Sequence, residues 1–401
     1  MNFAIRPPAL KACGFCFLLL ASAWLSGCQS EGDAADALDP NSLAAEPASR
    51  AAAPAAESKN LGTGQVKVAM LLPLSAPGPL GESGARMRDA ATLAMNDMGN
   101  NLITLTIMDT GGQDARAKQL AQQAMSSGAA AILGPVEPQA SRQLAAISGT
   151  RRPPVLSLAE DYLGRGNRVY GVTLNEADSA AAGAAAVAGM GARKFALIVP
   201  EGAAGQRVEQ RVTNAVANVG GSLAITLRFG PATASPLKVA ADLASIVDSP
   251  DAIVIATGGA DPRPLVAALK GSGLVKGDMR IIGSHRWLDH PLDDQTLDGA
   301  LIATLDSDEI GPVRQRFRQA YNRDPGLDGA YAYDVVALAA GLVSARGPAG
   351  FAPETLQTPS GFRGSTGVFR FRPDGSSERS MPLHRIEQGQ LKIVVKAVRA
   401  F

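Results

Sequence analysis

Short apolar runs recur along this chain, each followed by a Gly/Pro/Ser-rich turn and then an Ala-rich stretch with apolar positions at helical spacing. Val66 to Leu72 reads as a buried strand, ended by Pro73 and a loop to Gly84. Met87, Ala90, Ala91, Ala94 and Met98 then repeat with the ~3.6-residue period of an amphipathic helix. Residues 102–108 predict a second strand ending in Asp109-Thr-Gly-Gly. From about Asp114 a helix turns Ala117, Leu120, Ala121 and Ala124 inward, with Gly128 as its C-terminal cap. Residues 129–133 and 154–157 read as the third and fourth strands. The rhythm restarts with strands at 194–199, 222–227, 252–256 and 280–282, separated by helices near 206–219, 236–247 and 264–272. Strands alternating with helices require right-handed βαβ units and a parallel sheet covered on both faces. Two such series predict an α/β fold of two Rossmann-like lobes, with ligands at the carboxyl ends of the strands.

The first 65 residues follow other rules. A basic start (Arg6, Lys11) leads into an uncharged stretch from Ala12 to Trp24. It is shorter than the roughly 20 residues that span a bilayer, so it reads as a signal-peptide core. Leu25-Ser26-Gly27-Cys28 resembles the bacterial lipobox, which implies removal of residues 1–27 and acylation of Cys28. Two or more acyl chains anchor a protein stably, at about 0.8 kcal/mol per buried CH₂. Gln29 stands where an aspartate would resemble an inner-membrane retention signal. In a Gram-negative host the resemblance therefore implies the outer membrane, with the body in the periplasm. Residues 28–65 are Ala/Pro/Ser/Gly-rich and acidic (Glu31, Asp33, Asp36, Asp39, Glu46 and Glu57 against Arg50 and Lys59). Such a segment buries too little apolar surface to order itself and reads as a disordered tether.

Composition narrows the chemistry. The charge of the 401 residues balances to +1 and only 4% are aromatic, with no basic stripe, which argues against nucleic-acid binding. From Val66 onward the chain is too long for one core and fits two lobes. Cys13 and Cys16 leave with the signal, so Cys28 is the single mature cysteine. That excludes disulfides within the mature chain, cysteine nucleophiles and thiolate zinc sites. No nucleophile elbow, P-loop, dinucleotide fingerprint or His-Glu-x-x-His is present, so neither an enzyme nor a cofactor is expected. His285 and His290 are spaced so that one helix face cannot hold both, and no metal site is expected.

The order of motifs resembles type I periplasmic binding proteins of the leucine/amino-acid-binding family. The resemblance rests on Val68-Ala-Met-Leu-Leu-Pro-Leu-Ser75, Gly84-Ala85, Met95-Asn-Asp-Met98, Asp109, Ile132-Leu-Gly-Pro135 and Pro154-Val-Leu-Ser157. It continues through Phe195-Ala-Leu-Ile-Val199, Thr257-Gly-Gly259, Ile282-Gly283, Gly329-Ala-Tyr-Ala-Tyr-Asp334 and the closing hairpin Gly364 to Gly375. It implies two lobes joined by three hinge crossings: lobe 1 at 66–172 plus 284–350, and lobe 2 at 173–283 plus 351–401. Trp287 would then lie near a crossing, as core packing.

The same resemblance places Ser75, Ser157, Ala159, Thr257, His285 and Tyr333 at the ligand cleft. The sequence departs from the amino-acid-binding pattern at several of these points. Val136-Glu137 replaces a hydroxyl cluster, Glu160-Asp161 follows Ser157-Leu-Ala159, Ala204-Gly205 replaces a Tyr-Gly pair, and His285 stands where an acidic residue would answer an α-ammonium. Two functions follow. One is a solute-binding lipoprotein that carries an amino acid or similar small polar solute to the permease of an ABC importer. The other resembles the outer-membrane lipoprotein activators of penicillin-binding proteins, which use this fold to dock on a cell-wall synthase.

Overall fold

A computed structural model describes residues 59–147, 152–160, 166–230, 235–246 and 250–401; the signal segment, Cys28 and the tether through residue 58 lie outside the described residues. The first sheet contains β1 (Lys59–Leu61), β2 (Val66–Leu72), β3 (Ile103–Asp109), β4 (Ala131–Leu133), β5 (Val155–Ser157) and β6 (Val169–Gly171), in the order β1-β3-β2-β4-β5-β6. All its pairings are parallel except β1 with β3. Helix α1 (Pro79–Ala94) covers one face, and α2 (Asp114–Ser126) and α3 (Pro138–Ala145) cover the other. Alternation puts Ile103, Leu105 and Ile107 of β3 on the α1 side, fully buried. Burying a side chain of that size contributes about 1.5–3 kcal/mol.

The second sheet begins with β7 (Lys194–Pro200), β8 (Ser222–Phe229), β9 (Ala252–Ile255), β10 (Arg280–Gly283) and β11 (Leu301–Ala303), all parallel. Helices α4 (Glu176–Gly189) and α5 (Ala203–Ala217) bury one face, while α6 (Pro236–Ile246) and α7 (Arg263–Gly271) bury the other. Asn175 caps α4 by accepting the Asp178 N–H at 2.9 Å. The chain then returns to the first lobe through α8 (Ser307–Tyr321) and α9 (Gly326–Arg346), which complete the layer begun by α1. Gly326–Phe351 is long and apolar enough to cross a membrane, but 67% of its most apolar window is buried in the body, as in a core helix.

A three-stranded antiparallel sheet follows: β12 (Phe362–Gly364), β13 (Gly367–Phe371) and β14 (Ser377–Arg379). Asp374-Gly375 makes the turn between β13 and β14, with Gly375 at φ 83°. Finally β15 (Leu383–Glu387) adds antiparallel to β11, and β16 (Gln390–Val395) adds to β15.

The two series of βαβ units expected from the apolar rhythm are present, but three boundaries differ. The tether does not extend to residue 65, because Lys59–Leu61 pairs along β3 and Asn60 accepts a hydrogen bond from the Thr106 hydroxyl at 2.7 Å. The chain does not rejoin lobe 1 at 284. Instead β11 pairs with β10, and Trp287 is buried in the lobe-2 core. The final crossing to lobe 2 comes near residue 381 rather than 351, because Phe351, Leu356, Phe369 and Phe371 pack into the lobe-1 core. These differences arise from strands of three residues and from a tail whose aromatics name no partner in sequence.

Candidate functional site

The carboxyl ends of both parallel sheets carry the polar groups the fold would present to a ligand. In lobe 1, Asp109 at the end of β3 accepts the N–H groups of Ser75 at 3.1 Å and Gly111 at 2.8 Å, which joins the loops after β2 and β3. Ser75 is half-buried there. Beyond β4, Glu137 is 7% exposed and accepts the Thr110 hydroxyl at 2.5 Å, while its Oε2 has no partner among the described residues. Burial pushes the Glu137 carboxyl up from its ordinary pKa, against the Thr110 hydrogen bond.

At the end of β5, Ser157 is fully buried. Its hydroxyl pairs with that of Ser141 at 2.8 Å and accepts the Ala159 N–H at 3.2 Å. The Ala159 carbonyl accepts the Thr173 hydroxyl at 2.9 Å. Both residues stand at the expected strand exit, but their polar groups are engaged by the lobe itself.

In lobe 2, Glu176 at the start of α4 organises two neighbouring exits. It accepts the Gly258 N–H at 3.1 Å and the Ser284 hydroxyl at 2.8 Å. Thr257, after β9, is 4% exposed, and its Oγ1 has no partner among the described residues. The His285 N–H donates to Ser179 Oγ at 2.8 Å, and His285 Nδ1 is likewise buried and unpartnered.

The two exits meet at Glu160, one residue beyond Ala159. Its Oε1 lies 2.6 Å from Arg286 Nη1 and 3.4 Å from His285 Nε2. Arg286 also reaches Asp289 at 3.1 Å. Burial disfavours the Glu160 carboxylate, but the hydrogen bonds from His285 and Arg286 outweigh it and hold the pKa at about 2. The guanidinium sits against the Thr257-Gly-Gly turn. A Cβ on Gly259, whose φ is 92°, would lie 2.6 Å from Arg286 Nη2. Only glycine leaves that place open.

Tyr333 is not in this group. Its hydroxyl donates to Asp97 at 2.8 Å and accepts from Arg316 at 3.0 Å. Burial and the bond to Asp97 push its pKa up to about 12. It lines a separate lobe-1 groove of about 700 Å³ with Met98, Pro312 and Phe369. Its neighbour Tyr331 faces the hinge, where its hydroxyl accepts the Leu174 N–H at 3.0 Å. Sequence reasoning also passed over Glu160 and Arg286 as a pair, since their partnership spans two lobes. The legible sign was a carboxylate and a guanidinium each just beyond a predicted strand exit.

Two doubly wound lobes, crossed three times by the chain and meeting at their strand exits, define the architecture of a hinged binding protein. The chain belongs to the periplasmic binding protein family, whose family model matches residues 65–390. Its type I, leucine-binding-like form agrees with the solved structures it resembles. A branched chain amino acid ABC transporter periplasmic ligand-binding protein from Burkholderia xenovorans LB400 aligns at 19% identity with TM-score 0.67, over 84% of this chain and 95% of that one. An ABC transporter substrate-binding protein from Desulfitobacterium hafniense, in complex with Leu, aligns at 16% identity with TM-score 0.59, over 82% and 99%. A solute binding protein of an ABC transporter from R. palustris, in complex with benzoate, aligns at 16% identity with TM-score 0.54, over 84% and 98%. No curated protein sequence matches significantly.

Proposed function

We propose that this chain is a lipid-anchored periplasmic solute-binding protein, not an enzyme, that takes a small polar solute into the interlobe cleft for an ABC importer. The observation that carries this reading is the set of buried polar atoms left open at the strand exits: Glu137 Oε2, Thr257 Oγ1 and His285 Nδ1. An unsatisfied buried polar group costs about 1–3 kcal/mol, so a solute that bonded these three atoms would recover that cost. Structural relatives bound to Leu and to benzoate support a small solute of either polar or aromatic acid type. Ser75, Ser157, Ala159, Thr257 and His285 border that cleft in this proposal, and Tyr333 does not.

A second reading, a docking module that activates a penicillin-binding protein from the outer membrane, is favoured by the pairing of Glu160 with Arg286 and of Ser157 with Ser141. Both consume groups a solute would use. Crosslinking the full-length protein in cells separates the two. Capture of a permease supports the importer, and capture of a cell-wall synthase without a permease overturns it. The anchor has its own test. Cys28→Ser should release the protein from membranes, and unchanged membrane association would refute acylation at Cys28.

A further inference from the structure

Among the described residues, the ion pairs of Glu160 join the two lobes, unlike four other bridges of this body. Arg211–Asp178 and Arg263–Asp261 each lie within lobe 2, and Arg86–Asp328 and Arg316–Asp97 each lie within lobe 1. Glu160 is carried by the exit of β5 in the first sheet, whereas Arg286 and His285 are carried by the exit of β10 in the second. The receiving end is a built place. Gly259 leaves room for the guanidinium, Asp289 holds its Nε at 3.1 Å, and the buried Thr257 hydroxyl stands open on the neighbouring exit. The Glu160 side chain itself is 45% exposed, so it can swing out of this place without disturbing a core.

We propose that Glu160 is a built-in latch: its carboxylate occupies the anion-accepting place formed by Arg286 and His285, holds the lobes closed when no solute is bound, and is displaced when an anionic group takes that place. Opening breaks a charge-assisted hydrogen bond and re-solvates both partners. The closed form is therefore populated beforehand, and solute entry must draw on the open minority. The latch concerns the same cleft as the solute-binding reading, but lobe closure without solute can be measured whether or not any solute binds.

The test is a distance measurement on the full chain with spin labels at Gln123→Cys on α2 and Asn214→Cys on α5, both exposed positions, one in each lobe. Without solute, Glu160→Gln should raise the ratio of long-distance to short-distance populations about two- to fivefold, the range of a half-exposed ion pair. Arg286→Gln should open the lobes by no more than that, since His285 still faces Glu160, and the double variant should open no further than Glu160→Gln alone, which already weakens both contacts. Arg286→Lys keeps the charge and should recover part of the closed population. An unchanged distribution in Glu160→Gln, or a double variant that opens by the sum of the singles, would overturn the latch. Titration of the same samples with L-leucine and with sodium benzoate separates the two proposals. If Glu160→Gln opens the lobes but neither probe closes any variant, the latch stands and binding of these solutes falls. If the probes close the wild type yet Glu160→Gln matches it throughout, solute binding stands and the latch falls.

Discussion

Arg379, at the end of the closing three-stranded sheet, donates from Nη2 to the carbonyl of Val172 at 2.7 Å and so joins the last crossing between the lobes to the first. Its Nη1 donates to the Thr366 carbonyl at 2.7 Å and the Thr366 hydroxyl at 2.8 Å, and its plane lies over the rings of Tyr331 and Phe369. The side chain is buried, so these contacts are little screened by solvent. The guanidinium thus ties two of the three interlobe crossings to each other.

Arg379→Ala should lower unfolding free energy by about 3 kcal/mol, since hydrogen bonds from a charged donor and its aromatic packing are lost together. Arg379→Lys should recover less than half of that, because an ammonium cannot fork between Val172 and Thr366. Urea denaturation gives both values. A loss below about 0.5 kcal/mol in Arg379→Ala, the range of an ordinary surface change, would contradict the role.

Glu137 makes stability depend on pH in the direction opposite to most carboxylates. Its folded pKa is raised by burial above the ordinary value, so the native state binds the proton more tightly than the unfolded chain. Its favourable contribution is complete below pH ~4.5 and is lost as pH rises through the folded pKa. Glu137→Gln keeps an acceptor for Thr110 and removes the charge. It should melt higher than wild type at pH 8 and equal it near pH 4. Melting curves across that range would show a constant difference if the carboxylate were solvated.

His384 acts with the usual sign for a buried imidazole. Burial on β15 lowers its pKa, with Asp306 opposing, so the folded state resists protonation. Its neutral form supports the fold above pH ~6.5, and that support is lost as pH falls toward the folded pKa. His384→Leu should flatten the decline in melting temperature between about pH 6.5 and 5. An identical slope in wild type and variant would refute the assignment.

Asp334 inside α9 accepts four hydrogen bonds, two each from Ser365 and Thr366 in the turn between β12 and β13. A Cβ on Gly364 would come within 2.4 Å of Asp334 Oδ2. Gly364→Ala should therefore push the turn off the carboxylate and cost about 2–3 kcal/mol. Denaturant midpoints measure it, and an unchanged midpoint would show that the turn can shift freely.

The long periodic segments carried the fold because their signal is local. β2, β3, β7 and α1 each bury one repeating set of side chains, and that set is written in consecutive residues. β6, β11 and β12 have three residues each, too few for any period, and their identity comes from the strands beside them. The site followed the same division. Ser157, Thr257 and His285 stand at strand exits that the alternation of elements predicts, whereas Tyr333 rests on a resemblance that does not fix helix phase, and it is Tyr331 whose hydroxyl reaches the first crossing at Leu174. Two positions along a helix turn a side chain to nearly the opposite side. The Glu160–Arg286 contact needed the relative placement of two lobes, which no stretch of sequence states.

β1 gives the molecule a protected flank. Lys59–Leu61 covers Leu105, Thr106 and Ile107 on the outer side of β3, whose other side pairs along all seven residues with β2. A chain shortened to begin at Val66 would keep both cores yet bare the outer line of N–H and C=O groups on β3, a ready template for another copy. Wherever copies crowd together, these three residues would stand between the β3 edge of one molecule and that of the next.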